Sequence, residues 1–198
     1  MLTVSLCVVA YNEQELIGNL LDDFLKQTYP KNLTEIVLVN SASTDRTPEI
    51  FQQFRDRHFD EYRNIIIAEN PKKKQASGWN VAINNSTGDI IMRIDAHAQI
   101  PPEFAENNVR HHEEGEMVTG GARPNIIDGS TPWKQTLLMA ESSVFGSSAA
   151  DFRRNGEKRY VKTLFHGAYR REVFEKAGLF NENLGRTEDN EIHYRIRQ

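Results

Sequence analysis

Four short apolar, β-branched runs separated by stretches of helical spacing constrain this chain more than any other feature. Leu2 to Ala10, Ile36 to Val39, Ile65 to Ala68 and Ile90 to Ile94 read as strands. Between them, Leu16, Ile17, Leu20, Leu21, Phe24 and Leu25 recur at helical spacing. Phe51 and Phe54 give a second helix its stripe, and Ala76, Trp79 and Ile83 mark a third. Asn12 with Glu15 has the form of a capping box before the first helix, and Tyr29-Pro30 stops it. Thr47-Pro48 opens the second helix, with Pro in its first turn. Strands that run apolar without alternation are covered on both faces. The β-α-β-α-β-α-β order therefore predicts an α/β fold with a mostly parallel, doubly wound sheet. Val37, Val39, Ile66, Ile91 and Ile94 are expected to be buried in it.

In such a sheet, ligands bind outside the carboxyl ends of the strands. Those ends read Tyr11-Asn12-Glu13, Asn40-Ser41-Ala42-Ser43-Thr44-Asp45, Glu69-Asn70 and Asp95-Ala96-His97. Asp95 and His97, two residues apart at a strand end, can turn to the same side and hold a divalent cation on a diphosphate. The bland alternative is a capping Asp and a loop His. The loop after the second strand has a strong structural reading, with Asp45 or Thr47 capping the next helix. Its functional reading has Asn40 or Asp45 touching a base or ribose. Thr187 is expected to cap a last helix that opens with Glu188-Asp189. Those acids either complement the helix dipole or include a general base, and the pattern leaves both open.

The second half is less regular. A helix is expected from Pro101-Pro102 to about His112, a strand over Met117 to Thr119, and a turn over Gly129 to Pro132. A helix over Trp133 to Phe145 precedes a small-residue loop, Gly146 to Ala150. Tyr160 to Phe165 and Ala168-Tyr169 read as extended, and Arg171 to Ala177 as a helix closed by Gly178. Trp133, Leu137, Leu138, Met139 and Phe145 form either an amphipathic lid or core. His111-His112-Glu113-Glu114 at a helix C-terminus reads as a solvated face, and Lys72-Lys73-Lys74 as a solvated loop within reach of a phosphate.

Several function classes are disfavoured. No G-x-G-x-x-G follows the first strand, and neither G-x-x-x-x-G-K-[ST] nor G-x-S-x-G occurs, which leaves dinucleotide, P-loop and α/β-hydrolase readings unsupported. With Lys+Arg 24 against Asp+Glu 28, the net charge of −4 argues against a nucleic-acid partner. Cys7, the single cysteine, allows no intrachain disulfide and reads as a buried hydrophobe, a weak pointer to a cytosolic setting. Nothing approaches a membrane span of ~18 apolar residues, and no signal peptide is visible. The 198 residues suit one domain, with residues 1–100 as a nucleotide-binding half and 101–198 as an acceptor-side half. The last helix reaches Gln198 without a C-cap signal, so a longer parent protein is expected.

The run Val8-Val9-Ala10-Tyr11-Asn12-Glu13, followed by Ile36-Val37-Leu38-Val39-Asn40-Ser41-Ala42-Ser43-Thr44-Asp45-Arg46-Thr47, resembles the opening of family-2 glycosyltransferases with the GT-A fold. Ala76 to Asn80, Gly88-Asp89, Asp95-Ala96-His97, His166-Gly167-Ala168-Tyr169-Arg170-Arg171 and Thr187-Glu188-Asp189 are similar in order and spacing. Asp-Ala-His and His-Gly-Ala-Tyr-Arg-Arg most resemble bacterial exopolysaccharide members of the succinoglycan kind. The resemblance implies inverting transfer of a sugar from a nucleotide donor, a UDP-sugar above all, to a saccharide or lipid-linked acceptor in polysaccharide synthesis. It implies Mn2+ or Mg2+ held by Asp95 and His97, Asp189 as the base, and Tyr11, Glu13, Asn40 and Asp45 about the nucleoside. A cytoplasmic enzyme at the inner face of the membrane is implied too. Two departures stand out: Asn40-Ser41 replaces the usual acid pair, and His97 replaces the second acid of Asp-x-Asp. A nucleotide-sugar-binding module without catalysis, or a sugar nucleotidyltransferase, is the alternative.

Overall fold

A computed structural model describes residues 1–121, 129, 131–142, 159–161, 164, 166–185 and 187–198. It divides into two units, one of Met1–Thr119 with His166–Gln198, the other of Gly120–Phe165. In the first, β1 (Val4–Ala10), β2 (Thr34–Asn40), β3 (Asn64–Glu69) and β4 (Ile90–Asp95) alternate with α1 (Ile17–Leu25), α2 (Thr47–His58) and α3 (Gln75–Asn85). There follow α4 (Phe104–Glu113) and β5 (Val118–Thr119) and, after the second unit, β6 (Ala168–Arg170), α6 (Arg171–Ala177) and α7 (Glu188–Ile196). In the second unit α5 (Pro132–Ser142) leaves Trp133, Leu137 and Met139 exposed. Phe145 and Gly146 to Ala150 lie outside the described residues, as do residues 162, 163 and 165.

The strand order is β3-β2-β1-β4-β6-β5. β1 pairs parallel with β2 and β4, and β2 with β3, while β6 runs antiparallel to β4 and β5. Side chains alternate between two cores. Leu6, Val8, Ile36, Leu38, Met92 and Ile94 pack with α1, α2 and α4. Cys7, Val37, Val39, Ile91 and Tyr169 pack with α3, α6 and α7. Val37, Val39, Ile91 and Ile94 are fully buried. Ile66 is only partly buried, because β3 is an edge strand with one neighbour. Val39→Ala removes two methyl groups from the packed centre. It is expected to cost about 1–3 kcal/mol, read as a lower urea midpoint; an unchanged midpoint contradicts the packing.

Three local expectations are corrected. Asn12 does not cap α1, whose first residue is Ile17. It takes a left-handed φ of 53°, and its Oδ1 accepts from the Thr44 N–H at 2.8 Å, so the side chain braces the next loop. Thr187 makes no capping bond to α7 and is itself left-handed, φ 65°. His112 is no solvated residue: it is fully buried, with Nδ1 2.7 Å from the Glu116 carbonyl, and burial lowers its pKa.

Candidate functional site

Among the described residues, four of the five non-glycine residues with positive φ sit around the carboxyl ends of the parallel strands. Asn12 follows β1, Ala42 follows β2, Lys73 follows β3, and His166 precedes β6 beside the end of β4. Backbone held in this sparsely populated region persists where the surroundings enforce it, and such residues concentrate at functional sites. The rim encloses a pocket of about 240 Å3, lined by Val9, Ala10, Tyr11, Glu13, Ser41, Lys73, Gln75, Trp79, Asp95, Ala96 and His97. Its floor depends on Gly78: a Cβ there would lie 2.5 Å from Val9 Cγ1, so only glycine lets α3 approach β1 this closely and set Trp79 beneath the pocket.

The pocket brings together four residues singled out from the sequence: Tyr11, Glu13, Asp95 and His97. His97 Nδ1 lies 3.2 Å from Glu13 Oε1. A carboxylate partner selects the Nδ1–H tautomer and leaves Nε2 bare, the usual preparation of a metal-binding imidazole. The Asp95 N–H donates to His166 Nε2 at 3.3 Å, and Asp95 Oδ2 lies 3.9 Å from the same ring atom. Among the described residues no three His, Cys, Asp or Glu side chains converge as a ready-made cage. Asp95 and His97 instead offer one oxygen and one nitrogen donor on a shared wall. That set would suit a hard divalent cation that took its remaining ligands from elsewhere, and Asp95 and His97 would hold it.

Asn40, Asp45 and Asp189 do not line the pocket. Asn40 points to the other face of the sheet, with Nδ2 donating to Glu69 Oε2 at 2.8 Å and Oδ1 accepting from the Ser43 N–H at 3.0 Å. Asp45 accepts from the N–H groups of Gln14 at 3.0 Å and Thr47 at 2.9 Å. Desolvation raises its pKa, but these bonds and those to the Thr47 side chain outweigh that and leave it lowered. Asp45 thus ties the loop after β1 to the start of α2.

Asp189 opens α7 on the sheet face that carries Asp95. It lies one helical turn from His193, on the same side of the helix. His193 Nε2 is 2.8 Å from the Tyr169 hydroxyl, and the charge of Asp189 acts on both. Burial holds His193 neutral, its pKa lowered to about 4. Next to Tyr169, the Arg93 guanidinium lies between Trp79, 4.5 Å from its ring centre, and Phe180 at 4.9 Å. Asn80 closes this wall by exchanging two hydrogen bonds of 2.9 Å with the Phe180 backbone. The lysine loop is tied to the same segment. Lys72 pairs with Glu182 at 2.6 Å and Lys74 donates to the Glu182 carbonyl at 2.9 Å, while Lys73 faces the pocket.

Sequence reasoning missed Ser41, Gln75 and Trp79 as pocket residues, and Arg93 and His166 behind them. Strand parity was the available signal for two of them. Ser41 continues the side of Val37 and Val39, and Arg93 shares the side of Asp95.

Residues 5–178 match the family model described as "Glycosyl transferase family 2". The chain is 25% identical over 181 residues to a dolichyl N-acetyl-alpha-D-glucosaminyl phosphate 3-beta-D-2,3-diacetamido-2,3-dideoxy-beta-D-glucuronosyltransferase of Methanococcus voltae, covering 89% of this chain and 55% of that protein. It is 26% identical over 200 residues to the succinoglycan biosynthesis protein ExoA of Rhizobium meliloti, covering 98% of this chain and 58% of the relative. Among solved structures, it superposes on the mannosyltransferase PcManGT from Pyrobaculum calidifontis, in complex with GDP-Man and Mn2+. The TM-score is 0.73 with 25% identity, covering 98% of this chain and 52% of that one. The chain thus spans about half the length of the relatives it matches.

Proposed function

The chain belongs to glycosyltransferase family 2, and from that premise we propose that it carries the donor-binding and catalytic part of an inverting glycosyltransferase. The donor is a nucleoside-diphosphate sugar, a UDP-sugar in the first instance, and the acceptor a saccharide or lipid-linked saccharide in polysaccharide synthesis. One observation carries the reading: a single pocket at the ends of β1, β2 and β4 holds an exposed aromatic ring, Tyr11, together with the Asp95–His97 wall. A nucleoside diphosphate needs both, an apolar face for the base and charge compensation for the diphosphate. The matched structure with GDP-Man and Mn2+ supports the same assignment.

The reaction is an in-line displacement at the anomeric carbon, with the acceptor oxygen attacking opposite the departing diphosphate. Asp95 and His97 bind the diphosphate end, and Glu13 keeps the His97 ring turned toward the pocket. A divalent cation bound there, Mn2+ or Mg2+, supplies charge neutralisation as negative charge builds on the leaving group. Asp189 receives the acceptor proton, and Tyr11 holds the base. Asn40 and Asp45 shape the loops around the nucleoside through backbone bonds, so their part in binding is indirect. Among the described residues no helix is long and apolar enough to cross a membrane. A lipid-linked acceptor would bring the enzyme to the cytoplasmic membrane surface as a peripheral protein.

The test is titration calorimetry of UDP with and without Mn2+, alongside sugar transfer to an acceptor. UDP is expected to bind at least ~10-fold more tightly with the metal, a gain that Asp95→Ala removes. Equal affinity in both conditions excludes the metal role. Tight donor binding without transfer or donor hydrolysis selects the non-catalytic module instead.

A further inference from the structure

His193 carries a buried ring nitrogen that the fold leaves unbonded. The residue lies in α7, is 6% exposed, and has Nε2 2.8 Å from the Tyr169 hydroxyl. Its ring stacks on that of Tyr169, 5.9 Å between centres, which fixes the plane of the imidazole. Nδ1 is buried and has no hydrogen-bond partner among the described residues. Which nitrogen holds the proton follows from the neighbours. The Arg93 guanidinium, a donor only, faces the Tyr169 hydroxyl. The lone pairs of that oxygen turn to Arg93, and its hydrogen turns to Nε2, the one acceptor within hydrogen-bonding distance of it among the described residues. Burial keeps the imidazole neutral, its pKa lowered to about 4, so the ring holds a single proton. Because Nε2 accepts, that proton sits on Nδ1.

A buried N–H without an acceptor is costly, and one beside a site calls for a partner. The acids of α7 supply a single candidate. Glu191 is taken by Arg195, with bonds of 2.6 and 2.8 Å. Asp189 lies one turn toward the N-terminus of the helix. Helical side chains lean that way, so the His193 ring leans toward the turn that carries Asp189. The Asp189 charge already acts on the imidazole. Asp189 Oδ1 accepts from the Asn190 N–H at 2.8 Å. A carboxylate offers about four lone-pair positions, so it can accept one more N–H and still present a lone pair to a reacting hydroxyl.

Resting on the reading of Asp189 as the base, we propose that His193 is a positioning residue, whose Nδ1–H bonds to the Asp189 carboxylate in the donor-bound enzyme and aims the oxygen that receives the acceptor proton. Arg93 and Tyr169 stand behind it and fix the tautomer. Hydrogen bonds at such sites often close only in the reacting complex. One fixed N–H removes the rotational freedom of the carboxylate, and a neutral donor does so without forming an ion pair that would compete for the proton-accepting charge.

His193→Gln and His193→Asn separate the two ends of the ring. Gln reaches the Nε2 position and keeps the bond to Tyr169 but loses the Nδ1–H. Asn places an amide N–H where Nδ1 lies and gives up Tyr169. His193→Gln is expected to lower kcat for sugar transfer by about tenfold or more, with the Kd for UDP within about threefold of the wild type, and His193→Asn to recover most of that loss. A merely structural His193 reverses the order, because Asn strands the buried Tyr169 hydroxyl. His193→Gln turnover within about threefold of the wild type, or His193→Asn no faster than His193→Gln, overturns the proposal. Proton–nitrogen NMR spectra of the His193 ring, with UDP and Mg2+ bound, need no turnover and decide if a variant fails to melt cooperatively. They are expected to show the Nδ1–H tautomer at neutral pH, with a signal that moves in Asp189→Asn. An Nε2–H tautomer, or a signal that ignores Asp189→Asn, overturns the proposal. If Asp189→Asn transfers sugar at full rate, the reading of the base itself is lost. If it is slow while His193→Gln keeps full rate, only this inference is lost.

Discussion

Asp189→Asn is expected to lower the rate of sugar transfer by ~10²–10⁴-fold, the usual contribution of a positioned general base, and to leave donor binding near normal. The substitution keeps the size and most of the hydrogen bonding of the side chain but removes its ability to take a proton. Three features favour Asp189 for the proposed role. It is half-exposed in the first turn of α7, where its neighbour Glu188 is buried. It shares a helix face with His193, which the Tyr169 hydroxyl fixes to the sheet at 2.8 Å. And because His193 stays neutral, no imidazolium next to it competes for the carboxylate. Glu188→Gln is the control and should transfer sugar at a near wild-type rate. If Asp189 served only the helix dipole, its loss would appear as about 0.3–1 kcal/mol of stability with turnover intact. Labelled-sugar transfer and urea denaturation on the same two variants separate the outcomes. An inert Glu188→Gln enzyme, or an Asp189→Asn enzyme at full rate, moves the base elsewhere.

Glu35→Ala is expected to destabilise the fold by about 3–4 kcal/mol, because it strands two buried donors and two part-buried ones at once. The Glu35 side chain lies in β2, fully buried. It accepts from the Ser5 hydroxyl at 2.6 Å, the Thr87 hydroxyl at 2.7 Å, the Gly88 N–H at 3.0 Å and the Thr87 N–H. These bonds pin the turn that feeds β4, and β4 delivers Arg93 and Asp95 to the site. Burial raises the carboxyl pKa, but the bonds from Ser5, Thr87 and Gly88 outweigh it and leave the folded value below the ordinary 4.5. A depressed folded pKa adds stability that is fully present above the unfolded value. It is lost as pH falls below 4.5 and through the folded value. Urea midpoints of the wild type should therefore drop across that acid range, and the Glu35→Ala profile should be flatter there. Parallel profiles for the two proteins would remove Glu35 from the acid response.

The β-α alternation was legible because burial on both faces imposes a continuous apolar run, and such runs survive reading without coordinates. Ile36 to Val39 is the clearest case, with every residue of β2 buried. Ile66 shows where that logic stops, since an apolar run does not say which strand stands at an edge. Asp95 and His97 were legible from their place after the fourth strand. Asn40 and Asp45 were legible as polar residues at a strand end, but their partners were not. A side chain that satisfies a distant N–H reads in sequence like one that meets a ligand.

By itself, the sequence determined the fold class, the element order and the rim of polar strand ends that borders the pocket. Those follow from local periodicity and from the rule that parallel strands present their carboxyl ends together. Tertiary structure alone decided which rim residues face inward. Parity past the end of β2 turns Ser41 into the pocket and Asn40 out of it. Structure alone also joined Asn12 to the loop after β2, Lys72 and Lys74 to Glu182, and Arg93 to Trp79 and Phe180. The physical reason is one of range. Periodicity records what a residue does within its own turn or strand, whereas these contacts join residues 14 to 110 positions apart, and only the folded chain brings them within hydrogen-bonding or stacking distance.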